Sequence, residues 1–546
     1  MAAMSDDVPG RPESARLVCG AGEGDGGSVR EGRGAAASHA GLPAAPPGGP
    51  AAEPEALDDV EVPASPPGTA DAGGAARLRA VPPLGRPVRA GVFATYKERI
   101  CHLSERLVRA QRPIRILNAI KWGPEVFAEL RASNYKRLPA VDAEYYRRIP
   151  LEFEPEAKLE ELAAIGRDIE RHLGKDDPIG AILWRNCAEY QQVVRMLAAR
   201  GTPEFYRHAR ELYGTPKETF YDGKTTLRGL GLMIYEIFSG LDDTKLGITY
   251  PRTLSAEQAV ARLNERFRAY FHDDQVRVQL DDGIVSDAAA GADYLKIKQG
   301  VQFSERDLQI LEVHEGWAHI GTSLSGQNQR VATWLSKGPP CTTPVQEGLA
   351  VLLEVVTFVS LPVRARKLNY RVIAIDKAED GADLLDIIEF YRIEGFSEAE
   401  CLLNAQRVFR GGVVSGGAPF TKDVSYCKGF VQLYNWLRTC IRLGRPELIP
   451  FLFVGKVTLE DVPVLYDAAR HGVVDPPKYI PPPFQDLNGL AVWMAFSNFF
   501  NRIQLSRVVE RLRPSITAPP WDPSETWLRP RLAEERPQPG GEPLAP

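Results

Sequence analysis

The sequence predicts a mostly helical α+β fold, with a small antiparallel sheet placed directly before one long helix. Two patterns predict it. Residues 158–172 and 257–270 repeat apolar side chains at helical spacing, and glycine and proline mark the loops between such segments. Residues 275–298 instead alternate apolar and polar side chains around an Asp-Asp-Gly turn, which is typical of hairpin strands. We therefore expect helices to form the body of the fold and one local sheet to accompany them.

Composition divides the chain of 546 residues into three regions. Residues 1–87 are rich in alanine, glycine and proline and hold few aromatic or β-branched side chains, so we expect a disordered tail. Residues 513–546 contain repeated prolines and are expected to form a second, proline-rich tail. Residues 88–512 then form the folded domain that carries the chemistry described below.

Charge and cysteine content exclude several classes of protein. The formal net charge is −5, with 25% charged residues, which gives no indication of nucleic-acid binding. The seven cysteines are scattered, and the first residues lack the order of a secretory signal, so we expect a cytoplasmic protein. Residues 350–363 and 489–500 are the most apolar, but both are shorter than the roughly 20 residues that span a bilayer. We expect them to be buried helices, with no membrane contact.

A helix is predicted to begin at Ser304, because Asp307 completes a capping box with it. The helix carries the sequence HEGWAH from His314 to His319, a variant of the HExxH zinc signature with one extra residue. In a regular α-helix, positions i and i+5 point about 140° apart, so two such histidines cannot share an ion. A π-bulge absorbs one residue into a single wide turn. We therefore predict a bulge at residues 316–318, where Gly316 lowers the cost of the distortion.

A third metal ligand is predicted in the segment TPVQEGLA. Thr343 is a suitable N-cap, Pro344 suits the first helical position and Gln346 completes a capping box, which places Glu347 in the first turn of a helix. Two histidines from one helix and a carboxylate from a following one form the zinc site of a gluzincin. Simpler explanations are core or surface histidines, and an acid favoured by the helix dipole. The spacing of all three residues favours the zincin-like core.

These motifs resemble a known family. HEGWAH followed by QEGLA is similar to the QEGLA-motif proteins, which are described in bacteria as modulating flavohaemoglobin expression and whose eukaryotic relatives are microtubule-associated tyrosine carboxypeptidases. The segments ILNAIKW, FTKDVSYCKG and GKVTLEDV extend the similarity over most of residues 88–512. The resemblance implies zinc held by His314, His319 and Glu347, with Glu315 as the catalytic base.

A zinc site of this kind keeps an open position for water, whose pKa it lowers towards about 7. Glu315 adjoins a ligand without being one, so it is predicted to take the proton of that water and pass it to the leaving amine. Tyr426 is the candidate donor to the developing oxyanion, although a tyrosine beside an apolar run is more often a core residue.

An enzyme that acts on C-termini also needs a cation for the free carboxylate, and Arg407, Arg410 and Lys422 are the candidates. For any one of these residues, a solvated surface charge is the more common explanation. The strand at residues 293–298 is expected to be an edge strand that lines the cleft, by analogy with zincins.

The leading hypothesis is a zinc-dependent hydrolase, a metallopeptidase of carboxypeptidase type that acts on a peptide or protein C-terminus. One alternative is a metal-binding regulatory protein that modulates flavohaemoglobin expression without peptidase activity. Retention of Glu315 argues against it, because a structural zinc site needs no neighbouring base. A zinc amidase for a non-peptide substrate is also compatible with the sequence. Tubulin is not the expected substrate, because the N-terminal tail is acidic.

Overall fold

The structure is a computed structural model that describes residues 90–516, apart from 242–245, 247–249, 273, 283, 285 and 504. The predicted N-terminal tail lies outside the described residues. So does the predicted C-terminal tail from residue 517 onwards, while residues 513–516 belong to the last described helix.

The described residues form a mostly helical fold with one small sheet, as the sequence predicts. The α-helices of this part of the chain are α1 Ala90–Gln111, α2 Ile116–Ala119, α3 Pro124–Ala132, α4 Ala143–Arg147, α5 Pro155–Leu173, α6 Pro178–Ala198, α7 Pro203–Tyr213, α8 Leu227–Ser239, α9 Ala256–Tyr270, α10 Glu305–Leu311, α11 Gly321–Gln327, α12 Thr343–Val356, α13 Pro362–Glu379, α14 Leu384–Ile393, α15 Glu398–Phe409, α16 Ser425–Arg442, α17 Val462–Arg470, α18 Pro482–Gln485, α19 Leu487–Phe500 and α20 Leu505–Ile516. A π-helix spans Glu312–Ile320, and 3-10 turns occupy Thr333–Ser336, Pro340–Thr342, Lys422–Val424 and Pro446–Phe453.

The two helices predicted from apolar spacing are confirmed as α5 and α9. Each begins slightly earlier than its periodic pattern. Pro155 occupies the first helical position of α5, where a missing N–H costs nothing. In α9, the Ser255 hydroxyl accepts a hydrogen bond from the backbone N–H of Gln258, whose side chain reaches back to Ser255. Local capping chemistry therefore sets both starts.

The sheet is mixed, so the prediction of an antiparallel sheet is wrong in part. Its strands are β1 Arg277–Asp281, β2 Ala288–Ala290 and β3 Tyr294–Lys298, in the order β1-β3-β2. β2 pairs with β3 in antiparallel fashion, but β1 pairs with β3 in parallel. The strand that follows β1 begins only at Ala288, and it pairs with β3 across the turn at Gly291.

The same topology overturns the expectation that residues 293–298 form an edge strand. β3 is the central strand, hydrogen-bonded to β1 on one side and β2 on the other. Leu295 and Ile297 of β3 are fully buried, which gives the central position its packing. The edge strand that packs against the π-helix is β2.

Two hydrophobic cores meet at the π-helix. The larger core is built by helices, with Val313 and Ala318 of the π-helix among its members. The smaller core joins α9 to the sheet through Phe267, Leu295 and Ile320. Because the π-helix contributes to both cores, it is packed on two sides, and its geometry is fixed by both.

The two most apolar segments differ in their surroundings. The first half of residues 350–363 lies in α12, where Leu352, Leu353 and Glu354 are buried as predicted, but the helix ends at Val356 and Phe358 is exposed. The second segment lies in α19, where the prediction of a buried helix is wrong, because only Leu490, Met494 and Ser497 are buried. Trp493 and Phe496 lie on the exposed side of α19, since one stripe of the helix packs against α16. Within the described ranges, no helix combines the length and the apolar character needed to cross a membrane.

Candidate metal centre

The helix that carries the two histidines begins where the sequence predicts. Ser304 is the N-cap of α10, and its hydroxyl accepts a hydrogen bond from the backbone N–H of Asp307 at 3.0 Å. The Asp307 carboxylate accepts from the backbone N–H of Ser304 at 2.8 Å, which completes the capping box. α10 then continues without interruption through the π-helix into α11.

The predicted bulge is confirmed and is larger than expected. Nine residues, Glu312–Ile320, form a π-helix rather than one widened turn. Hydrogen bonds between i and i+5 bring residues five apart onto one face. The rings of His314 and His319 accordingly lie side by side, with centroids 5.0 Å apart and planes at 82°. The extra residue in the signature is therefore absorbed by the backbone.

Gly316 contributes space as well as flexibility. A Cβ atom at this position would lie 2.6 Å from the ring of Phe267. Phe267 is fully buried in the smaller core, so its ring has no room to withdraw. The glycine lets the π-helix pack directly against α9.

The third candidate ligand, Glu347, lies in the first turns of α12, but the predicted cap is wrong. The helix begins at Thr343, and its N-cap is Thr342, whose side chain does not cap it. Thr342 has helical dihedral angles, φ −82° and ψ −13°, because a 3-10 turn runs directly into the helix. No residue there has the extended conformation that a capping side chain needs. Gln346 consequently turns inward, where its Oε1 atom accepts a hydrogen bond from Thr322 at 2.9 Å.

His314, His319 and Glu347 converge on one point. Their ligand atoms lie within 4.8 Å of one another. Glu347 Oε2 is 3.6 Å from His319 Nε2 and 4.0 Å from His314 Nε2. Ligands at tetrahedral zinc lie about 3.3 Å apart, so small rotations of the three side chains would suffice.

One oxygen of Glu347 lacks a partner. Oε2 is buried and accepts no hydrogen bond from the described residues, whereas Oε1 accepts one from Lys422 Nζ at 3.1 Å. Burial works to raise the pKa of Glu347, but Lys422 and His319 outweigh it and hold that pKa well below the usual range. The carboxylate is thus ionised at neutral pH. A buried charged oxygen without a donor is costly, and a metal ion beside two imidazoles would satisfy it. The residues present fit zinc.

Glu354 fixes the orientation of His314. Its carboxylate is fully buried and lies 2.6 Å from His314 Nδ1, with Arg364 bound to both of its oxygens at 2.6 Å. Burial works to raise the pKa of Glu354, but the Arg364 guanidinium and His314 lower it to about 2. An ionised Glu354 accepts a hydrogen bond from the N–H at Nδ1, which leaves the Nε2 lone pair directed at the other two ligands.

The sequence contained a signal for Glu354 that we did not use. It follows Glu347 by seven residues, which is close to two helical turns, so both carboxylates share one face of α12. An acid inside an otherwise apolar run is unfavourable unless it has a buried partner. Arg364 is ten residues further on, in α13, and no local pattern pointed to it.

Glu315 lies beside the three candidate ligands. Its Oε1 atom is 4.0 Å from His314 Nε2, and about a fifth of its side chain, 19%, is exposed. It is therefore close to the ligand atoms without being one of the three that converge. This is the position that the sequence predicts for a base.

A close helix crossing brings α16 to the same place. A Cβ atom on Gly429 would lie 1.8 Å from the backbone oxygen of Pro344, and one on Gly348 would lie 2.5 Å from that of Gly429. The backbones of α12 and α16 touch there because both residues are glycine. Near this crossing, Lys422 donates a hydrogen bond to Glu347. The Lys422 ammonium also lies 5.7 Å from the centroid of the Tyr426 ring.

The predicted substrate-binding cations lie in this region, but two of them are engaged. Arg407 holds Asp423 through two hydrogen bonds of 2.6 and 2.9 Å, and Lys422 holds Glu347. Arg410 lies over the Phe420 ring at 5.8 Å, and burial together with Arg407 lowers its pKa to about 10. Their roles in binding substrate stay predictions.

Arg371 is a cation that the sequence analysis missed. Its guanidinium stacks over the Tyr426 ring at 4.9 Å, on α13. Its Nε atom lies 3.8 Å from the carboxylate of Asp423, which Arg407 already holds. The Nε atom of Arg371 is buried and has no hydrogen-bond partner among the described residues.

Fold and site together define a class of protein: a mostly helical domain whose candidate metal centre has two histidines, a glutamate and an adjacent carboxylate. A family model described as microtubule-associated tyrosine carboxypeptidase matches residues 128–502, and the chain belongs to this family. This is a family of peptidase-type enzymes, and it suggests a carboxypeptidase-like hydrolase. The predicted relationship to these carboxypeptidases is confirmed, whereas the likeness to the QEGLA-motif proteins stays a prediction.

The chain was also compared with curated proteins and with solved structures. No curated protein matches it. One solved structure, described as a lipoprotein from Colwellia psychrerythraea, is 12% identical to this chain in an alignment that covers 67% of this chain and 72% of that one, with a TM-score of 0.32. A TM-score of that size carries no argument about the fold.

Glu354→Gln tests the buried carboxylate. Because the pKa of Glu354 in the fold, about 2, lies below the ordinary 4.5, ionised Glu354 stabilises the fold above about pH 4.5, and this contribution disappears as the pH falls towards 2. We expect the variant to lose roughly 3 kcal/mol of unfolding free energy at pH 7, since Arg364 is left without its charge partner. It should also lack this part of the acid dependence. Urea unfolding between pH 2 and pH 7 measures both.

Glu389→Gln provides the matched control. Glu389 pairs with Arg392 on the exposed side of α14, and such surface pairs contribute about 0–1 kcal/mol. If the unfolding free energy of Glu354→Gln depends on pH as that of the wild type does, the pair of Glu354 with Arg364 does not stabilise the site.

Proposed function

We propose that the chain is a zinc-dependent metallopeptidase of carboxypeptidase type with a gluzincin-like core. The observation that carries the proposal is the convergence of two imidazoles on a buried, ionised Glu347 whose Oε2 atom accepts no hydrogen bond from the described residues. Zinc would be held by His314, His319 and Glu347. When bound, it would supply Lewis acidity, which lowers the pKa of water towards about 7.

Glu315 is assigned the role of general base. Its carboxylate is partly exposed beside the ligand atoms, so it can accept a proton from the attacking water at its Oε1 atom. The same carboxyl can then donate that proton to the amine that leaves. No other carboxylate in the described site is suited to this, because Glu347 is engaged by Lys422 and Glu354 by Arg364.

Tyr426 is assigned to the oxygen that becomes negative during the attack. Two cations, Arg371 and Lys422, lie 4.9 and 5.7 Å from the centroid of its ring. Since Lys422 also binds Glu347, Tyr426 borders the candidate ligands. A phenol hydroxyl in such a place can donate a hydrogen bond to an oxyanion.

The free carboxylate of the substrate requires a cation with unused donors. Arg407 and Lys422 already bind acids, so we assign the main contact to Arg371, with Arg410 as a second candidate. A guanidinium can bind a carboxylate through two parallel hydrogen bonds, which suits recognition of a chain end. Stacking on Tyr426 would keep it oriented towards the same cleft as the base.

The description of the family names tyrosine, which makes a C-terminal tyrosine the first substrate to test. The sequence argument against tubulin rests on the acidic N-terminal tail, and that tail lies outside the described residues. An assay of peptides that differ only in their C-terminal residue therefore tests the specificity more directly than an argument from the charge of the tail.

Glu315→Gln tests the base. We expect the wild-type chain, loaded with zinc, to release tyrosine from a peptide with a free C-terminus but not from the same peptide with a C-terminal amide. The variant should lower kcat by roughly 10²–10⁴-fold, because the amide side chain cannot accept the proton, and its zinc content should be unchanged. Chromatographic assay of released amino acid, with zinc measured by mass spectrometry, gives both values.

Glu312→Gln is the control, because Glu312 lies in the same π-helix but pairs with Arg266 at 3.0 Å. It should retain wild-type kcat. A wild-type chain that binds zinc and releases nothing from any peptide would favour a regulatory protein, and full activity in Glu315→Gln would remove its assigned role.

Arg371→Met tests the carboxylate contact. We expect KM to rise by about 10–100-fold with kcat much less affected, because charged hydrogen bonds to a substrate contribute about 1.5–3 kcal/mol. Arg438→Met is the matched control. Arg438 also lies over a tyrosine ring, 5.6 Å from the centroid of Tyr434, but it is about three turns of α16 away from Tyr426. Steady-state kinetics on the tyrosine peptide separate the two parameters. An unchanged KM in Arg371→Met would transfer the contact to another cation.

A further inference from the structure

Lys456 reaches between the two helices that carry the candidate ligands. Its ammonium donates hydrogen bonds to the His319 backbone oxygen at 3.0 Å, to Thr322 Oγ1 at 2.9 Å and to Gln346 Oε1 at 2.7 Å. A lysine ammonium has three donors, so all of them are used. All three of these acceptors are neutral oxygens, so the contact is not an ion pair.

The acceptors belong to both sides of the metal centre. His319 is a candidate ligand at the end of the π-helix, and Thr322 follows in α11. Gln346 directly precedes the ligand Glu347 in α12, and its Oε1 atom is also 2.9 Å from Thr322 Oγ1. We call Lys456, Thr322 and Gln346 the lysine clasp. The clasp joins the backbone of the candidate ligand His319 to Gln346, the residue before the candidate ligand Glu347.

The clasp also acts on the unusual backbone. The His319 carbonyl accepts from Lys456 and, at 2.7 Å, from the Ser323 hydroxyl. Side chains that bond to a helical carbonyl hold it away from the regular hydrogen-bond ladder. Because a π-helix is less favourable than an α-helix, such contacts stabilise the wide turn at the point where it ends.

The position of Lys456 is fixed by its own backbone. Its N–H donates to the backbone oxygen of Leu335 at 2.8 Å, and Leu335 is buried in the larger core. The segment that follows the 3-10 turn Pro446–Phe453 is thereby attached to the fold before the side chain extends. Lys456 is therefore placed from outside the two metal helices.

We propose that Lys456 is a positioning residue that sets the register between the π-helix and α12, and so the spacing of His314, His319 and Glu347. The inference rests on the proposed function. It deepens that proposal by assigning to the glutamine of QEGLA a structural role in the metal centre. Residues that orient metal ligands typically change metal affinity by about 10–100-fold when they are replaced.

Zinc affinity of the purified full chain, measured by competition with a chromophoric chelator, tests the clasp without any assay of activity. We expect Lys456→Met and Gln346→Met each to weaken zinc binding by about 10–100-fold. Lys428→Met is the control, because Lys428 is also largely buried but pairs with Glu218 at 2.9 Å. It should bind zinc as tightly as the wild type.

A double-mutant cycle distinguishes a clasp from two unrelated losses. Because Lys456 and Gln346 would act through the same contact, the double variant should bind zinc about as weakly as the weaker single variant. Hydrogen exchange over residues 312–327 should quicken in the zinc-free Lys456→Met chain but not in Lys428→Met. If Lys456→Met fails to fold, Gln346→Met and Thr322→Val carry the same test.

Three outcomes would overturn the inference. Wild-type zinc affinity in both clasp variants would remove it while leaving the proposed function intact, as would additive losses in the double variant. If His314→Ala binds zinc as tightly as the wild type, the proposed function is wrong, and this inference with it.

Discussion

The structure depends on one constraint: two histidines five residues apart must face one point. A regular α-helix turns them about 140° away from each other, so the backbone between them has to widen. The π-helix Glu312–Ile320 does so, and it brings the imidazole rings to 5.0 Å. Every other feature of the candidate centre either tolerates this wide turn or holds it in place.

The surrounding residues divide that work. Glu354, oriented by Arg364, fixes which nitrogen of His314 faces the site, and Lys422 binds one oxygen of Glu347 so that the other stays directed at the histidines. Gly348 and Gly429 let α12 and α16 touch, and Lys422, in the 3-10 turn directly before α16, lies at the carboxylate of Glu347. A buried cluster of opposite charges is costly unless each member is paired, and one of the unpaired atoms here is the candidate ligand oxygen, Oε2 of Glu347.

Local chemistry was predictable from the sequence, and long-range contacts were not. The start of α10 at Ser304, the bulge and the grouping of the candidate ligands follow from caps and spacing within a few dozen residues. The parallel pairing of β1 with β3 depends on which strand the core buries, which alternation alone does not reveal. Gln346 was mistaken for part of a cap because its partner Lys456 is more than a hundred residues away. The exposed side of α19 was missed because apolar content does not show which stripe of a helix packs.

X-ray absorption at the zinc edge of the purified chain, loaded with one equivalent of zinc, tests the central claim most directly. The account predicts two imidazole nitrogens and one carboxylate oxygen at about 2.0–2.2 Å, with one further light atom from solvent. His314→Ala and His319→Ala should each remove an imidazole from the spectrum. Sulfur at about 2.3 Å, or a spectrum that neither substitution alters, would contradict the assignment of these helices as a metal centre.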